Sequence, residues 1–236
     1  MRISKPKILI IIPAFNEEAN IKEVITAVRA HQNGVHIVVV NDGSADRTAE
    51  IAEAEGVTVL SHPFNMGIGA TMQTGFKYAM IKGFNIAVQV DGDGQHPAEQ
   101  VTDLINALIE SKADIVVGSR FMDKSGYRPS VARGAGITIF SRLVSIIIGE
   151  KVTDTTSGFR ASGRRCIEFF SGHYPDDYPE VEALVLLHKK GFRIKEIPVK
   201  MNRRQGGRSS ITPLKSIYYM VKVMLAIFVD LIKKLD

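Results

Sequence analysis

The segment Asp91-Gly92-Asp93-Gly94-Gln95-His96 sets two carboxylates two positions apart, with glycine between and after them. On an extended chain, side chains at i and i+2 point to the same side. Gly92 has no Cβ, so another group can come close to the backbone there. An oxygen-rich pair of this kind suits Mg²⁺ or Mn²⁺, which uses one or two carboxylates and completes its shell with substrate phosphates. Gln95 and His96 are further candidate ligands. A solvated turn after a strand would carry the same residues, so the pair needs support from its surroundings.

Three other clusters supply candidates. Asn41-Asp42-Gly43-Ser44 reads as a turn that caps a helix, or as a carboxylate accepting hydrogen bonds from a base or ribose. Pro13-Ala14-Phe15-Asn16-Glu17 combines a helix start with an acid, Glu17, that would face the same crevice. Asn65-Met66-Gly67-Ile68-Gly69 is glycine-rich ahead of a helix and could cradle a phosphate or simply turn tightly. It is neither GxGxxG nor a Walker loop, so it gives no support to dinucleotide or ATP binding of those types.

The elements that must position these clusters follow from hydropathy. Residues 8–12 are a continuous apolar run, as for a strand buried on both faces. A helix over 16–29, strands over 35–40 and 57–60, and helices over 46–55 and 69–80 follow. A strand over 86–90, a helix from 97 to about 111, and a strand over 115–117 complete this half. Such alternation predicts an open, mostly parallel α/β sheet with helices on both faces. Ligands bind at the carboxyl ends of strands in such sheets, and three of the clusters fall at strand ends. Beyond residue 120 the pattern changes to a loop over 121–133, an apolar helix over 137–148 and a polar loop over 153–159. A helix over 182–190, an edge strand over 193–199, a basic loop over 203–210 and a final helix over 214–235 close the chain. The division expected is a catalytic domain over 1–212 and an amphipathic C-terminal helix over 213–236.

The 236 residues carry a net charge of +5, with Arg203, Arg204 and Arg208 close together. That suits a phosphate, a nucleic acid or an anionic membrane without choosing among them. The single cysteine, Cys166, allows no intrachain disulfide, which is compatible with a reducing cytoplasm. Residues 8–12 are too short a run for a signal peptide, and Pro13, Glu17 and Glu18 follow in place of a cleavage site. No stretch reaches the ~20 apolar residues that span a bilayer.

Taken in order, Ile12-Pro13-Ala14-Phe15-Asn16-Glu17-Glu18, Asn41 to Thr48, Asn65-Met66-Gly67, Asp91 to Pro97 and Gly118-Ser119-Arg120 resemble the family 2 glycosyltransferases of the GT-A fold. Within them the chain is similar to the dolichol- or polyprenyl-phosphate hexosyltransferases, the dolichol-phosphate mannose synthase group. The similarity runs on through Asp154-Thr155-Thr156-Ser157-Gly158-Phe159-Arg160 and Arg204-Gln205-Gly206-Gly207-Arg208-Ser209-Ser210. Each motif is weak alone; the ordered set is specific. The resemblance implies that Pro13, Ala14, Phe15, Glu17, Asp42, Gly69, Asp91 and Gly92 hold the nucleotide sugar. It implies Asp91, Asp93 and Gln95 as ligands of Mn²⁺ or Mg²⁺, Arg120, Arg133 and Arg204 at the acceptor phosphate or the donor diphosphate, and Ser209 at the acceptor phosphate, with Asp93, Arg120 and Arg204 central to catalysis. Where the synthase pattern has a serine four positions after the second arginine, this chain has Ile137.

The implied activity is transfer of a hexose from a nucleotide sugar to a polyprenyl or dolichyl phosphate, by single displacement with inversion. UDP-hexose is favoured and GDP-mannose is next. A lipid phosphate with a second pKa of about 6 is largely dianionic at neutral pH and needs little general-base help. That fits a chain in which no histidine presents itself as a base. If the acceptor were a saccharide hydroxyl, Glu180 or Glu182 would be the base, although both also read as helix-start carboxylates. A sugar nucleotidyltransferase and a non-catalytic nucleotide-binding protein rank lower. The apolar helices over 137–148 and 214–235 suit a membrane interface, or a core or subunit contact equally well. The expected partners are a nucleotide sugar, a lipid phosphate and a membrane surface, with a homo-oligomer or a small membrane-protein partner as the other use of those helices, and no nucleic acid. The expected location is peripheral, on the cytoplasmic face of the membrane.

Overall fold

The computed structural model describes residues 5–122, 131–149, 151–176 and 179–202, with the backbone alone over 131–137. The strands are β1 (Ile8–Ala14), β2 (His36–Asn41), β3 (Thr58–Ser61), β4 (Ile86–Gln89), β5 (Ile115–Ser119), β6 (Arg160–Gly163) and β7 (Ile194–Pro198). The helices are α1 (Ile21–His31), α2 (Thr48–Ala54), α3 (Ile68–Ile81), α4 (Val101–Ser111), α5 (Val131–Ile148), α6 (Arg164–Gly172) and α7 (Pro179–Lys189). A single 3-10 turn, Ala98–Gln100, leads into α4.

One sheet carries the strands in the order β3-β2-β1-β4-β6-β5-β7. All pairs are parallel except those of β6, which runs antiparallel to both β4 and β5. The apolar run of β1 alternates between two cores. Ile10 and Ile12 pack with Ile25 and Val28 of α1 and Leu104 of α4. Leu9 and Ile11 pack on the other face with Met72 and Phe76 of α3 and Phe170 of α6. A third cluster joins Val117 of β5 to Phe140 and Val144 of α5 and Leu184 of α7. The sheet is therefore covered on both faces, as its uninterrupted apolar strands require.

Several elements depart from the sequence expectation. Residues 160–172 form β6 and α6, and α5 starts at Val131, before the apolar run that announces it. The direction of β6 has a consequence for the site. Its first residue, Arg160, pairs with Gln89 at the end of β4 and with Val117 near the end of β5. An antiparallel strand thus brings the loop that precedes it, 153–159, to the carboxyl ends of its neighbours. The first helix is also shorter than expected: Asn16 has φ 54°, and α1 begins only at Ile21.

Candidate active site

A crevice of about 430 Å³ lies along the carboxyl ends of the central strands. It is lined by Pro13, Ala14, Phe15 and Glu17 after β1, by Asp42 after β2, and by Asn65, Gly67, Ile68 and Thr71 at the start of α3. Asp91, Gly92 and Asp93 after β4 and Glu180 at the start of α7 complete it. Most of the residues expected to meet a nucleotide sugar are therefore in one place. Gly69 is the exception. A Cβ there would lie 2.4 Å from the Pro175 carbonyl oxygen and 2.6 Å from Asp176 Cα, so its missing side chain lets the 175–176 loop close onto α3. Gln95 does not line the crevice either; its N–H donates to Asp93 Oδ1 at 3.0 Å.

Asp91 is held from behind. Gln89 Nε2 donates to its Oδ1 at 2.9 Å, and its own N–H donates to His96 Nδ1 at 2.9 Å. An Nδ1 that accepts leaves the proton of a neutral ring on Nε2, which faces Asp91 Oδ2 at 3.4 Å. His96 is buried and stacked on Phe159 with ring centroids 4.8 Å apart. One of its nitrogens is thus taken by the Asp91 backbone, and the other lies beside the Asp91 carboxylate. Gly158 makes the arrangement fit: a Cβ there would meet Gln89 Nε2 at 2.6 Å.

Among the described residues no three His, Cys, Asp or Glu side chains come together as a complete metal shell. Two carboxylates on one wall of the crevice still fit Mg²⁺ or Mn²⁺, because such ions take the remaining oxygens from substrate phosphates and water.

Asp42 is buried, and its carboxylate is engaged on both oxygens. It accepts from His62 Nδ1 at 2.8 Å, from the Met66 N–H at 2.8 Å and from the Gly67 N–H at 2.9 Å. It therefore shapes the turn into α3 as well as lining the crevice. Glu17 likewise has a local duty, accepting from Asn20 Nδ2 at 2.7 Å ahead of α1.

Arg120 follows β5 and is fixed by Asp154, which has no solvent exposure. Its Nε and Nη2 reach the two Asp154 oxygens at 2.7 and 2.8 Å, and Nη2 also donates to Thr156 Oγ1 at 2.7 Å. Asp154 is in turn anchored from β7. Glu196 accepts from the N–H groups of Thr153 and Asp154 at 2.7 and 2.8 Å and from Thr153 Oγ1 at 2.9 Å. Asp154 and Thr156 thus fix the direction of the Arg120 guanidinium. Gln89, His62 and Glu196 gave no signal in the sequence, since each is an ordinary residue whose partner lies elsewhere in the chain.

Glu180 is half-buried, and burial raises its carboxyl above the usual value, with the Arg160 charge opposing the rise. Arg160 Nη2 also donates to the Glu180 carbonyl at 2.6 Å. Glu182 is buried in α7 and does not line the crevice. The side chain of Arg133, all of Arg204 and Ser209, and the helix expected over 213–236 lie outside the described residues.

A mostly parallel sheet with a nucleotide-sized crevice and an Asp-Gly-Asp wall at its carboxyl ends defines the GT-A class of glycosyltransferase. The chain belongs to glycosyl transferase family 2, whose pattern it matches over residues 9–168. It is similar to the UDP-N-acetylglucosamine–dolichyl-phosphate N-acetylglucosaminyltransferase of Methanococcus voltae, 32% identical, covering 82% of this chain and 84% of that one. It is 28% identical to the polyprenol monophosphomannose synthase of Mycolicibacterium smegmatis, covering 86% and 80%. The fold matches glucosyl-3-phosphoglycerate synthase from Mycobacterium tuberculosis, crystallised with Mn²⁺, UDP and glucosyl-3-phosphoglycerate. The TM-score is 0.72 at 20% identity, over 95% of this chain and 79% of that one. The protein is a glycosyltransferase enzyme, similar to transferases named for dolichyl-phosphate and polyprenol acceptors.

Proposed function

We propose that this enzyme moves a hexose from a nucleotide sugar to the phosphate of a polyprenyl or dolichyl carrier, with inversion at the anomeric carbon. The observation that carries the reading is the single crevice shared by Asp91, Asp93, Asp42 and Glu17. The names of the relatives from M. voltae and M. smegmatis support a lipid-phosphate acceptor. A UDP-hexose ranks ahead of GDP-mannose as donor.

Asp91 and Asp93 would hold a divalent cation, which supplies positive charge to the departing diphosphate. The Gln89 amide and the His96 ring keep Asp91 turned toward it. Phe15, 45% exposed at the crevice wall, offers a face for the base. An oxygen of the lipid phosphate attacks the anomeric carbon, and the bond from that carbon to the nucleotide diphosphate breaks with its electron pair leaving on the diphosphate. Arg120, Arg133, Arg204 and Ser209 are assigned to the acceptor phosphate. For Arg204 the support is its neighbour: the Asn202 N–H donates to the Gln95 carbonyl at 2.9 Å, which brings the chain alongside the Asp91–Gln95 segment two residues before Arg204.

Peripheral attachment at the cytoplasmic face of a membrane fits this acceptor. No helix among the described residues is long and apolar enough to cross a bilayer. Ile139 and Ile146 of α5 stand out at 53% and 79% exposure.

Glu180 favours one second reading, a saccharide hydroxyl as acceptor with Glu180 as base, because it is the one of the two candidate bases that lines the crevice. A screen of nucleotide sugars with Mn²⁺, with and without polyprenyl phosphate, separates the two. Expected is nucleotide release that depends on the lipid phosphate and yields a lipid-linked sugar. Release indifferent to it would overturn the acceptor. In the same assay Asp93→Asn should lower turnover about a hundredfold and remove the Mn²⁺ dependence; an unchanged Mn²⁺ response would overturn the metal assignment.

A further inference from the structure

A carboxylate has about four lone-pair positions, two on each oxygen. On Asp42, Oδ1 accepts from His62 Nδ1 and from the Met66 N–H, both at 2.8 Å, so it is full. Oδ2 accepts from the Gly67 N–H at 2.9 Å and keeps one position. His62 is fixed in turn by α3, where its Nε2 meets Thr74 Oγ1 at 2.9 Å, and its side chain is only 10% exposed. The ring cannot easily turn away from Asp42. The crevice therefore offers an incoming base one acceptor at this carboxylate.

The bases differ in what they need. The edge of uracil that carries N3–H has one donor between two carbonyls, and one acceptor satisfies it. Guanine presents N1–H beside an exocyclic amine, and the pair fits a carboxylate only when both oxygens are open. Against Asp42 as it stands, guanine would leave one N–H facing an oxygen already filled. A donor buried without a partner weakens binding by roughly tenfold to a hundredfold.

We infer that His62 sets the base selectivity of the donor site: by filling the second position on Asp42 Oδ1, it makes the crevice accept uracil and discriminate against guanine. This rests on the nucleotide-sugar reading above and extends it to a residue 20 positions from Asp42 that does not line the crevice. His62 is a positioning residue.

The test is calorimetric titration of the full chain, with Mn²⁺, against UDP, GDP and inosine diphosphate. Inosine keeps N1–H and lacks the exocyclic amine. The wild type should bind UDP at least tenfold more tightly than GDP, and inosine diphosphate more tightly than GDP, because the unpartnered amine is gone. His62→Phe removes the Nδ1–H and keeps the bulk. It should gain GDP affinity until UDP and GDP lie within about threefold. His62→Asn returns an amide N–H toward Asp42 and should restore the selectivity. If wild type binds GDP as tightly as UDP, or inosine diphosphate no better than GDP, the assignment to His62 fails while the nucleotide-sugar reading stands. A folded His62→Phe protein with the wild-type ratio overturns it equally. If none of the three nucleotides binds the wild type, the nucleotide-sugar reading falls and the role of His62 with it.

Discussion

Glu180 sits in the crevice with its charge disfavoured by burial, and the sign of that effect gives a test at the scale of one residue. A carboxyl whose folded pKa lies above the ordinary 4.5 costs nothing while both folded and unfolded chains are protonated. As pH rises from 4.5 through the raised folded value, the unfolded chain ionises first and the fold loses stability. Glu180→Gln stays neutral throughout. Its melting temperature should exceed that of wild type at pH 7.5 and converge with it near pH 4. A gap that widens toward low pH would contradict the burial. With a phosphate acceptor the same variant should keep turnover within about tenfold, whereas loss of a general base costs about 10²- to 10⁴-fold. Residues such as Asp42, Asp91 and Asp93 were legible because turn motifs gather them within a few positions. Asp154 and Glu196 were not, as Arg120 finds Asp154 34 positions away and Asp154 finds Glu196 42 positions further on.

At the scale of elements, the parallel half of the sheet was legible because each strand is a bare apolar run buried on both faces. β6 was not. Its residues Arg160, Ala161 and Ser162 are buried, but two of the three are polar, and the Arg160 guanidinium is satisfied by the carbonyls of Ser157, Thr155 and Glu180. A strand that hides its polarity in the loop before it and the first turn of α7 leaves no hydropathy signature. The tight seam between α3 and the 175–176 loop was only half legible, since the glycine-rich run before α3 read equally as a phosphate cradle and as a tight turn. Gly69→Ala would press a methyl group into backbone atoms at 2.4 to 2.6 Å and should cost about 1–3 kcal/mol in chemical unfolding. Gly172→Ala, which meets nothing within 4 Å, should be neutral or up to about 1 kcal/mol stabilising. The seam leads to α7, so Gly69→Ala should also lower turnover in the lipid-phosphate assay. Equal stability of the two variants would mean that α3 does not depend on this close approach.

For the whole molecule, the proposal that it works at a membrane surface must come from charge and one apolar face together. The chain carries +5, and each Lys or Arg near an anionic surface contributes about 1 kcal/mol. On α5, Ile139, Arg142 and Ile146 are exposed on successive turns while Phe140, Val144 and Ile148 face the core. Burying one such isoleucine in an interface is worth about 1.5–3 kcal/mol at most. The full chain should therefore sediment with vesicles containing anionic lipid and much less with neutral ones, and binding should fall as salt is raised. Replacing Ile139 and Ile146 together by serine should weaken partitioning about tenfold or more while leaving the melting temperature unchanged, since neither side chain contributes to the core. If the double variant sediments as wild type does, α5 is not the contact. If wild type stays in solution and dimerises through this face as its concentration rises, the exposed isoleucines belong to a second copy, and the acceptor must reach the crevice without the enzyme leaning on the bilayer.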